Sequence, residues 1–175
     1  MADLLIELDG AHFKRQYLLY IVEINHQNER FFYIGQTGDR KYTTARPAFR
    51  RLAGHFDDSG TSTQNQVYRY IGQTILKLKF GSDCAFSQNE KLAMENYLVN
   101  SKIKMHIYIL EPFLASETHE KHLEKLNKVE EFEAYIVESF EKNGRNILNK
   151  KRSPKRTPNP YPQKFAQIAH DFKLN

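Results

Sequence analysis

Apolar residues form three short runs along the chain that are typical of β-strands. Residues 17–24 and 31–35 are rich in β-branched and aromatic side chains, and the polar stretch NHQNER lies between them. Two such runs joined by a short polar loop predict a β-hairpin. Residues 103–110, IKMHIYIL, alternate basic and apolar positions and then become apolar, which predicts a third strand that ends at Glu111–Pro112.

Helical periodicity fills the intervals between these strands. Residues 46–56 carry an apolar stripe at helical spacing that includes Phe49, Leu52 and Ala53, and Pro47 suits a first helical turn, so we predict a helix there. We call it the arginine helix because Arg46, Arg50 and Arg51 lie in it. Three further helices are predicted, over residues 67–78, 90–99 and 117–142. Gly72 weakens the first of these three.

The order of the elements predicts a small α/β (α+β) domain over residues 1–150. It consists of a three-stranded antiparallel sheet flanked by helices, with a helical insertion at about 59–101 between the arginine helix and the third strand. Beyond Lys150, the segment KRSPKRTPNPYPQ holds four prolines in a basic, polar context. We therefore expect residues 151–175 to form an extended basic arm rather than part of the core.

Composition excludes several classes of protein. A chain of 175 residues can bury a core without disulfides, and its single cysteine rules out both a disulfide framework and a four-thiolate metal site. The N-terminal stretch lacks the charged and apolar segments of a secretory signal, and no apolar window approaches the ~20 residues of a membrane span. We expect a soluble, cytoplasmic protein with no membrane partner.

Charge points to a polyanionic partner. The chain has 26 Lys and Arg against 21 Asp and Glu; the acids concentrate in residues 117–141, while the arginine helix and the tail are basic. A basic face is typical of nucleic-acid binding, although a solvated basic tail without a function has the same composition. The residues expected to contact phosphates are Arg46, Arg50, Arg69, Lys77, Lys151, Arg152, Lys155 and Arg156.

Two predicted helices place polar side chains beside their apolar stripes. Arg51 and His55 are four residues apart, so they project side by side and could present two donors to one anion. From this helix alone, a surface arginine beside a solvated histidine is the favoured interpretation. In the long helix, Glu133 falls inside the apolar arc. A buried carboxylate needs a partner, which could be an arginine, a helix end or a metal ion.

Five short elements then occur in a recognisable order. They are Leu18-Leu19-Tyr20, Tyr33-Ile34-Gly35 with Thr37, Arg51-Leu52-Ala53-Gly54-His55, Glu133-Ala134, and Asn149. In this order, and on these predicted strands and helices, they resemble the GIY-YIG endonuclease superfamily. Leu18 stands where the family has glycine, and the stretched interval after Glu133 leaves Asn146 as an alternative to Asn149.

The resemblance implies a DNA endonuclease that hydrolyses phosphodiester bonds with Mg²⁺ or Mn²⁺ as cofactor. It implies that Glu133 binds the metal ion and that Arg51 holds a phosphate oxygen. Tyr20 is then the general base, while Tyr33 and His55 position the attacking water or lower the pKa of Tyr20. Whether Tyr20 or His55 finally accepts the proton stays open. The implied catalytic residues are Tyr20, Tyr33, Arg51, His55, Glu133 and Asn149.

The insertion and the arm, without a separate recognition domain, favour one type of nuclease. We expect a stand-alone, sequence-specific type II restriction-type enzyme acting on double-stranded DNA, with a homodimer as one way to cut both strands. Three alternatives stay open: a nucleic-acid-binding module that has lost catalysis, a repair or homing-type nuclease, and an RNA-directed nuclease of the same family.

Overall fold

The computed structural model describes residues 6–58, 65–79, 86–149 and 158–175. Within these ranges the strands are β1 Gln16–His26, β2 Glu29–Gln36, β3 Ser101–Pro112 and β4 Asn146–Ile147. The α-helices are α1 Ala48–His55, α2 Gln66–Tyr70, α3 Gln88–Val99, α4 His119–Lys142 and α5 Pro162–Phe172. A 3-10 helix, Gly10–Phe13, precedes β1, and a π-helical turn, Ile71–Ile75, directly continues α2.

The strands form one mixed sheet in the order β3-β1-β2-β4. β1 is antiparallel to both β2 and β3, which confirms the predicted hairpin and the mixed α/β class. The strands run further into NHQNER than predicted, because Asn25 pairs with Arg30 and His26 with Glu29. The prediction of three antiparallel strands omits β4, which is parallel to β2 and whose two residues are too few to give a periodic pattern.

Alternation of side chains along the strands divides the core into two parts. On one face, Leu19, Ile21 and Phe32 pack with buried residues of α4 and α5. On the other face, Tyr20 and Tyr33 pack with residues of α2, the π-turn and α3. The sheet therefore lies between two helical layers, and the two tyrosines point toward the layer that the insertion supplies.

The insertion helix predicted over 67–78 is α2 followed by the π-turn. Gly72, which the sequence presents only as a weak point, has a packing role. A Cβ atom there would lie 2.9 Å from Cε2 of Phe86, so the aromatic ring fits only because position 72 has no side chain. None of the helices in the described ranges has the length and apolarity needed to cross a bilayer.

In the described part of the C-terminal segment, residues 162–172 form the helix α5. The prediction of an extended arm is therefore wrong for these residues. Pro162 lies in the first turn of α5, where a missing N–H costs nothing. Ile168 and Phe172 are buried against Phe32 and Phe140. The prolines are typical of extended structure, whereas Phe165, Ile168 and Phe172 repeat at helical spacing just beyond them.

The orientation of α1 also differs from the prediction. The expected apolar stripe included Phe49, Leu52 and Ala53, but Ala53 is exposed and the other two are half-buried. The buried residues of α1 are Ala48 and His55. Phe49 packs instead on Phe13 of the 3-10 helix, with ring centroids 5.3 Å apart. The helix is therefore turned so that its histidine, rather than its apolar stripe, enters the core.

Candidate active site

Tyr20 and Gly35 are paired across the β1–β2 ladder, and this pairing creates the site. A Cβ atom at position 35 would lie 2.5 Å from Cζ of Tyr20. No other residue leaves room for the tyrosine ring, which explains the glycine of the Tyr33-Ile34-Gly35 element. The fold thus directs the Tyr20 side chain across β2 toward α1.

The Tyr20 hydroxyl lies between the two polar residues of α1. Arg51 donates to its oxygen from Nε at 3.1 Å and from Nη2 at 3.0 Å, and His55 Nε2 lies 2.6 Å away. A guanidinium only donates, and a phenol oxygen has two lone pairs and one proton. Because the guanidinium occupies both lone pairs, the hydroxyl donates a hydrogen bond to His55 Nε2.

Burial governs the ionisation of this hydroxyl. The side chains of Tyr20 and His55 are fully buried, and the loss of water raises the pKa of Tyr20 to about 12. The Arg51 guanidinium opposes this increase, and the negative charge of Glu133 adds to it. At neutral pH Tyr20 is therefore a neutral phenol, and it becomes a base only if His55 takes its proton.

Tyr33 occupies the neighbouring position on the same face of the sheet. Its ring contacts that of Tyr20 and lies edge-on to His55, with centroid distances of 6.4 Å and 4.8 Å. Its hydroxyl donates a short hydrogen bond to Oε1 of Gln66, the first residue of α2. Burial, and then the negative charges of Tyr20 when it ionises and of Glu133, hold the pKa of Tyr33 well above its usual value.

Glu133 is buried, with 7% of its surface exposed, as its place in the apolar arc of the long helix predicts. It lines a cavity of about 420 Å³, and every residue of that lining has a polar side chain. The lining residues are Tyr33, Gln66, Arg69, Tyr70, Gln73, Glu133 and Asn149. Such a lining suits a polar, charged ligand better than an apolar molecule.

Asn149 lies at the cavity, but both ends of its amide are hydrogen-bonded to the backbone of Ile34. Its Oδ1 accepts from the Ile34 N–H at 2.7 Å, and its Nδ2 donates to the Ile34 carbonyl at 2.6 Å. The side chain therefore fixes β2 beside Tyr33. The alternative, Asn146, is exposed on β4 and donates to the Arg30 carbonyl at 3.3 Å, outside the cavity lining.

The residues expected to contact phosphates have different surroundings. Arg46 forms a salt bridge with Asp39 at 2.9 Å, so its charge is already compensated. Arg50 is exposed on α1, Arg69 lines the cavity, and Lys77 is exposed beyond the π-turn, outside that lining. The predictions for Lys151, Arg152, Lys155 and Arg156 concern residues outside the described ranges.

Sequence reasoning missed Gln66 and Gln73 as site residues. Both belong to the helical insertion, which the resemblance does not cover. A usable pattern exists, since the cavity-lining residues 66, 69, 70 and 73 follow the i, i+3, i+4, i+7 spacing of one helical face. The opposite face, with Val67, Tyr68 and Ile71, is buried.

The donor set at the cavity fits one kind of metal site. Among the described residues, no group of three or more His, Cys, Asp and Glu side chains is arranged to hold a metal ion. The described residues therefore do not form a zinc-type site with three or more protein ligands. A single carboxylate at a polar cavity fits Mg²⁺, which retains several waters and binds substrate oxygens. Glu133 would be its protein ligand.

Comparisons of this chain with protein-family models, with curated proteins and with solved structures found no match. The geometry of the site therefore carries the functional argument.

Proposed function

We propose that this protein is a divalent-metal-dependent endonuclease that hydrolyses phosphodiester bonds in double-stranded DNA. The observation that carries the proposal is the Tyr20 hydroxyl, held by the Arg51 guanidinium and aimed at His55 Nε2. Hydrolysis of a phosphodiester needs an acceptor for the proton of the attacking water and positive charge for the phosphate oxygens. Tyr20 with His55, and Arg51, have these two capacities.

Tyr20, His55 and Arg51 have different roles in the proposed reaction. The Tyr20 proton passes to His55 Nε2, and the resulting phenolate, stabilised by Arg51, accepts a proton from water. Because Tyr20 is fully buried with both Arg51 donors on its oxygen, Arg51 must release at least one of them before water can approach. A guanidinium that turns from the phenol toward a phosphate oxygen both opens the base and binds the substrate.

The remaining residues hold this arrangement. Tyr33 packs against both Tyr20 and His55 and limits where the water can lie. Asn149 fixes the backbone of β2 next to Tyr33. Glu133 would hold Mg²⁺ or Mn²⁺, which when bound stabilises the negative charge that develops on the phosphate and on the leaving oxygen.

The experiment that tests the proposal is incubation of a supercoiled plasmid of known sequence with the purified protein. We expect cleavage with Mg²⁺ or Mn²⁺ and none with excess EDTA. Run-off sequencing of the ends then separates a restriction-type enzyme, which gives discrete ends, from a non-specific nuclease, which gives a smear.

Other outcomes of the same experiment distinguish the alternative functions from one another. A protein that binds DNA but never cuts it is a binding module, and preferential cleavage of an RNA of equal sequence indicates a ribonuclease. If wild-type protein cuts neither nucleic acid with either metal ion, the proposal is wrong. Cleavage of both strands at one position, with a rate that depends on protein concentration, would indicate the homodimer.

A further inference from the structure

One wall of the active-site cavity comes from the insertion, and the proposed mechanism gives it no role beyond the bond between Tyr33 and Gln66. This wall is the polar face of α2 and the π-turn, formed by Gln66, Arg69, Tyr70 and Gln73. The opposite face of the same ten residues packs into the core. The helix is therefore held firmly, with its polar face turned to the cavity.

The polar face is joined directly to the catalytic residues. Oε1 of Gln66 accepts a hydrogen bond from the Tyr33 hydroxyl, and the Tyr70 ring centroid lies 6.1 Å from that of Tyr33. A molecule that contacts Tyr33 and Glu133 must therefore also meet this wall. Since α2 continues as a π-turn rather than as a regular helix, the spacing of its side chains is locally altered, which is frequent at functional sites.

The chemistry of the wall suits a nucleotide. Arg69 supplies a cation to the same cavity lining that holds the Glu133 carboxylate. The exposed Gln73 presents an amide with a donor and an acceptor, and this group can bind the edge of a base, adenine above all. Arg69 and Gln73 both line the cavity, so one ligand there can meet a cation and an amide.

We propose that this wall binds the nucleotide that adjoins the cleaved phosphodiester, with Arg69 on its phosphate and Gln73 on its base edge. The inference rests on the proposed nuclease function and adds the part of the molecule that selects substrate. Arg69 contributes affinity without regard to sequence, whereas Gln73 contributes a preference at one position. The helical insertion is then a recognition element built into the catalytic cavity.

Two readouts separate these roles. The first is binding of a fluorescent duplex in EDTA, measured by anisotropy at several salt concentrations. Arg69→Gln should weaken binding to all sequences and lower the slope of log affinity against log salt by about 1. Lys121→Gln removes the same charge from an exposed position on α4, outside the cavity lining, and should leave that slope as in wild type. Arg69→Lys keeps the charge and should keep the slope.

The second readout is the sequence of the ends that the enzyme produces from a randomised DNA with Mg²⁺. Gln73→Ala should reduce the preference at one position beside the cut by about 10-fold while cleavage persists, because one amide contact to a base edge is lost. Thr74→Ala, at an exposed neighbouring position, should leave the preference unchanged. If Gln73→Ala and Arg69→Gln both behave as wild type while wild type still cuts, the inference is wrong and the nuclease stands. Absence of cleavage by wild type would instead overturn the proposed function.

Discussion

At the residue scale, the environment of Tyr20 sets it apart from a second tyrosine in the same strand. Tyr17 is also buried, and its hydroxyl lies 2.6 Å from Nδ1 of His122. The third group at this site is the Glu117 carboxylate, whose oxygen lies 3.3 Å from the Tyr17 hydroxyl. At Tyr20 the corresponding group is a guanidinium. Burial and Glu117 both raise the pKa of Tyr17. Lys125 lies over the Tyr17 ring but forms a salt bridge with Glu117, whereas Arg51 donates directly to the Tyr20 hydroxyl, where it can stabilise a phenolate.

This difference provides a matched pair of variants. We expect Tyr20→Phe to lower the single-turnover rate of DNA cleavage by at least about 100-fold, because general-base catalysis contributes about 10²–10⁴-fold. Tyr17→Phe removes a buried tyrosine–histidine hydrogen bond of the same length and should keep the rate within about 3-fold of wild type, a difference of well under 1 kcal/mol. Equal losses in the two variants would show that Tyr20 acts only through packing.

The raised pKa of Tyr20 predicts how stability depends on pH. In the folded protein the phenol stays protonated up to about pH 12, whereas in the unfolded chain it ionises near its ordinary pKa of 10.0. Its contribution to the free energy of unfolding is therefore fully present below pH 10 and is lost as pH rises to about 12, at up to about 1.4 kcal/mol per unit. Urea denaturation of wild type and Tyr20→Phe across this interval measures the effect. A difference between them that does not change with pH would contradict it.

At the element scale, the segment that ends in Asn149 completes the hydrogen bonding of β2. β4 pairs with Phe31 and Phe32, and the Leu148 N–H then donates to the Phe32 carbonyl at 2.8 Å. The Asn149 side chain takes the next position along the strand, where it bonds to both backbone groups of Ile34. Its amide thus bonds to Ile34 as the backbone N–H and carbonyl of a further β4 residue would.

We predict that Asn149→Ala destabilises the protein and Asn146→Ala does not. The first change leaves the N–H and carbonyl of the buried Ile34 without their partners, which costs roughly 1–3 kcal/mol. The second removes one exposed bond of 3.3 Å and should cost at most about 0.5 kcal/mol. Chemical denaturation measures both. If Asn149→Ala kept full stability but lost cleavage, the side chain would have a direct chemical role instead.

Sequence periodicity could predict some elements and not others for physical reasons. β1, the β1–β2 hairpin and α4 each bury a continuous or periodic apolar set, so their patterns are visible without tertiary information. β4 and the direction of α1 depend on contacts made elsewhere, with β2 and with Phe13 respectively. The basic, proline-containing composition around α5 is typical of extended chain and hides the helix, although one of these prolines lies in its first turn.

At the scale of the whole molecule, α5 closes one side of the core. Ile168 and Phe172 pack with residues of β1, β2 and α4, and Tyr108 of β3 donates to Asp171 at 3.0 Å. Arg145 donates to the Phe172 carbonyl at 2.9 Å. The last helix thus joins the edge strand β3 to the end of α4, the helix that supplies Glu133.

We expect Ile168→Ala to lower the free energy of unfolding by about 2–5 kcal/mol, because it leaves a cavity in a fully buried position. Gln163→Ala, on the exposed side of the same helix, should change it by less than about 0.5 kcal/mol. Thermal or urea unfolding compares the two. Similar small effects would mean that the tail is an independent arm, as the composition alone suggested.

The candidate site could be predicted only in part at this scale. The order of short motifs predicts Tyr20, Arg51, His55 and Glu133 as site residues, and the structure brings the first three into direct contact. The apolar arc of α4 correctly predicts that Glu133 is buried. The wall formed by the insertion could not be predicted, because its contact with Tyr33 depends on tertiary packing between distant segments.

The most direct test of the central claim is the metal-dependent rate of DNA cleavage by Glu133→Gln. This change keeps the size of the side chain and removes the charge that would hold Mg²⁺, so we expect a loss of at least about 100-fold in the single-turnover rate, with folding and DNA binding retained. Glu141→Gln, at the exposed end of the same helix, should cut as wild type does. A Glu133→Gln protein that cuts DNA with Mg²⁺ at the wild-type rate would contradict the account.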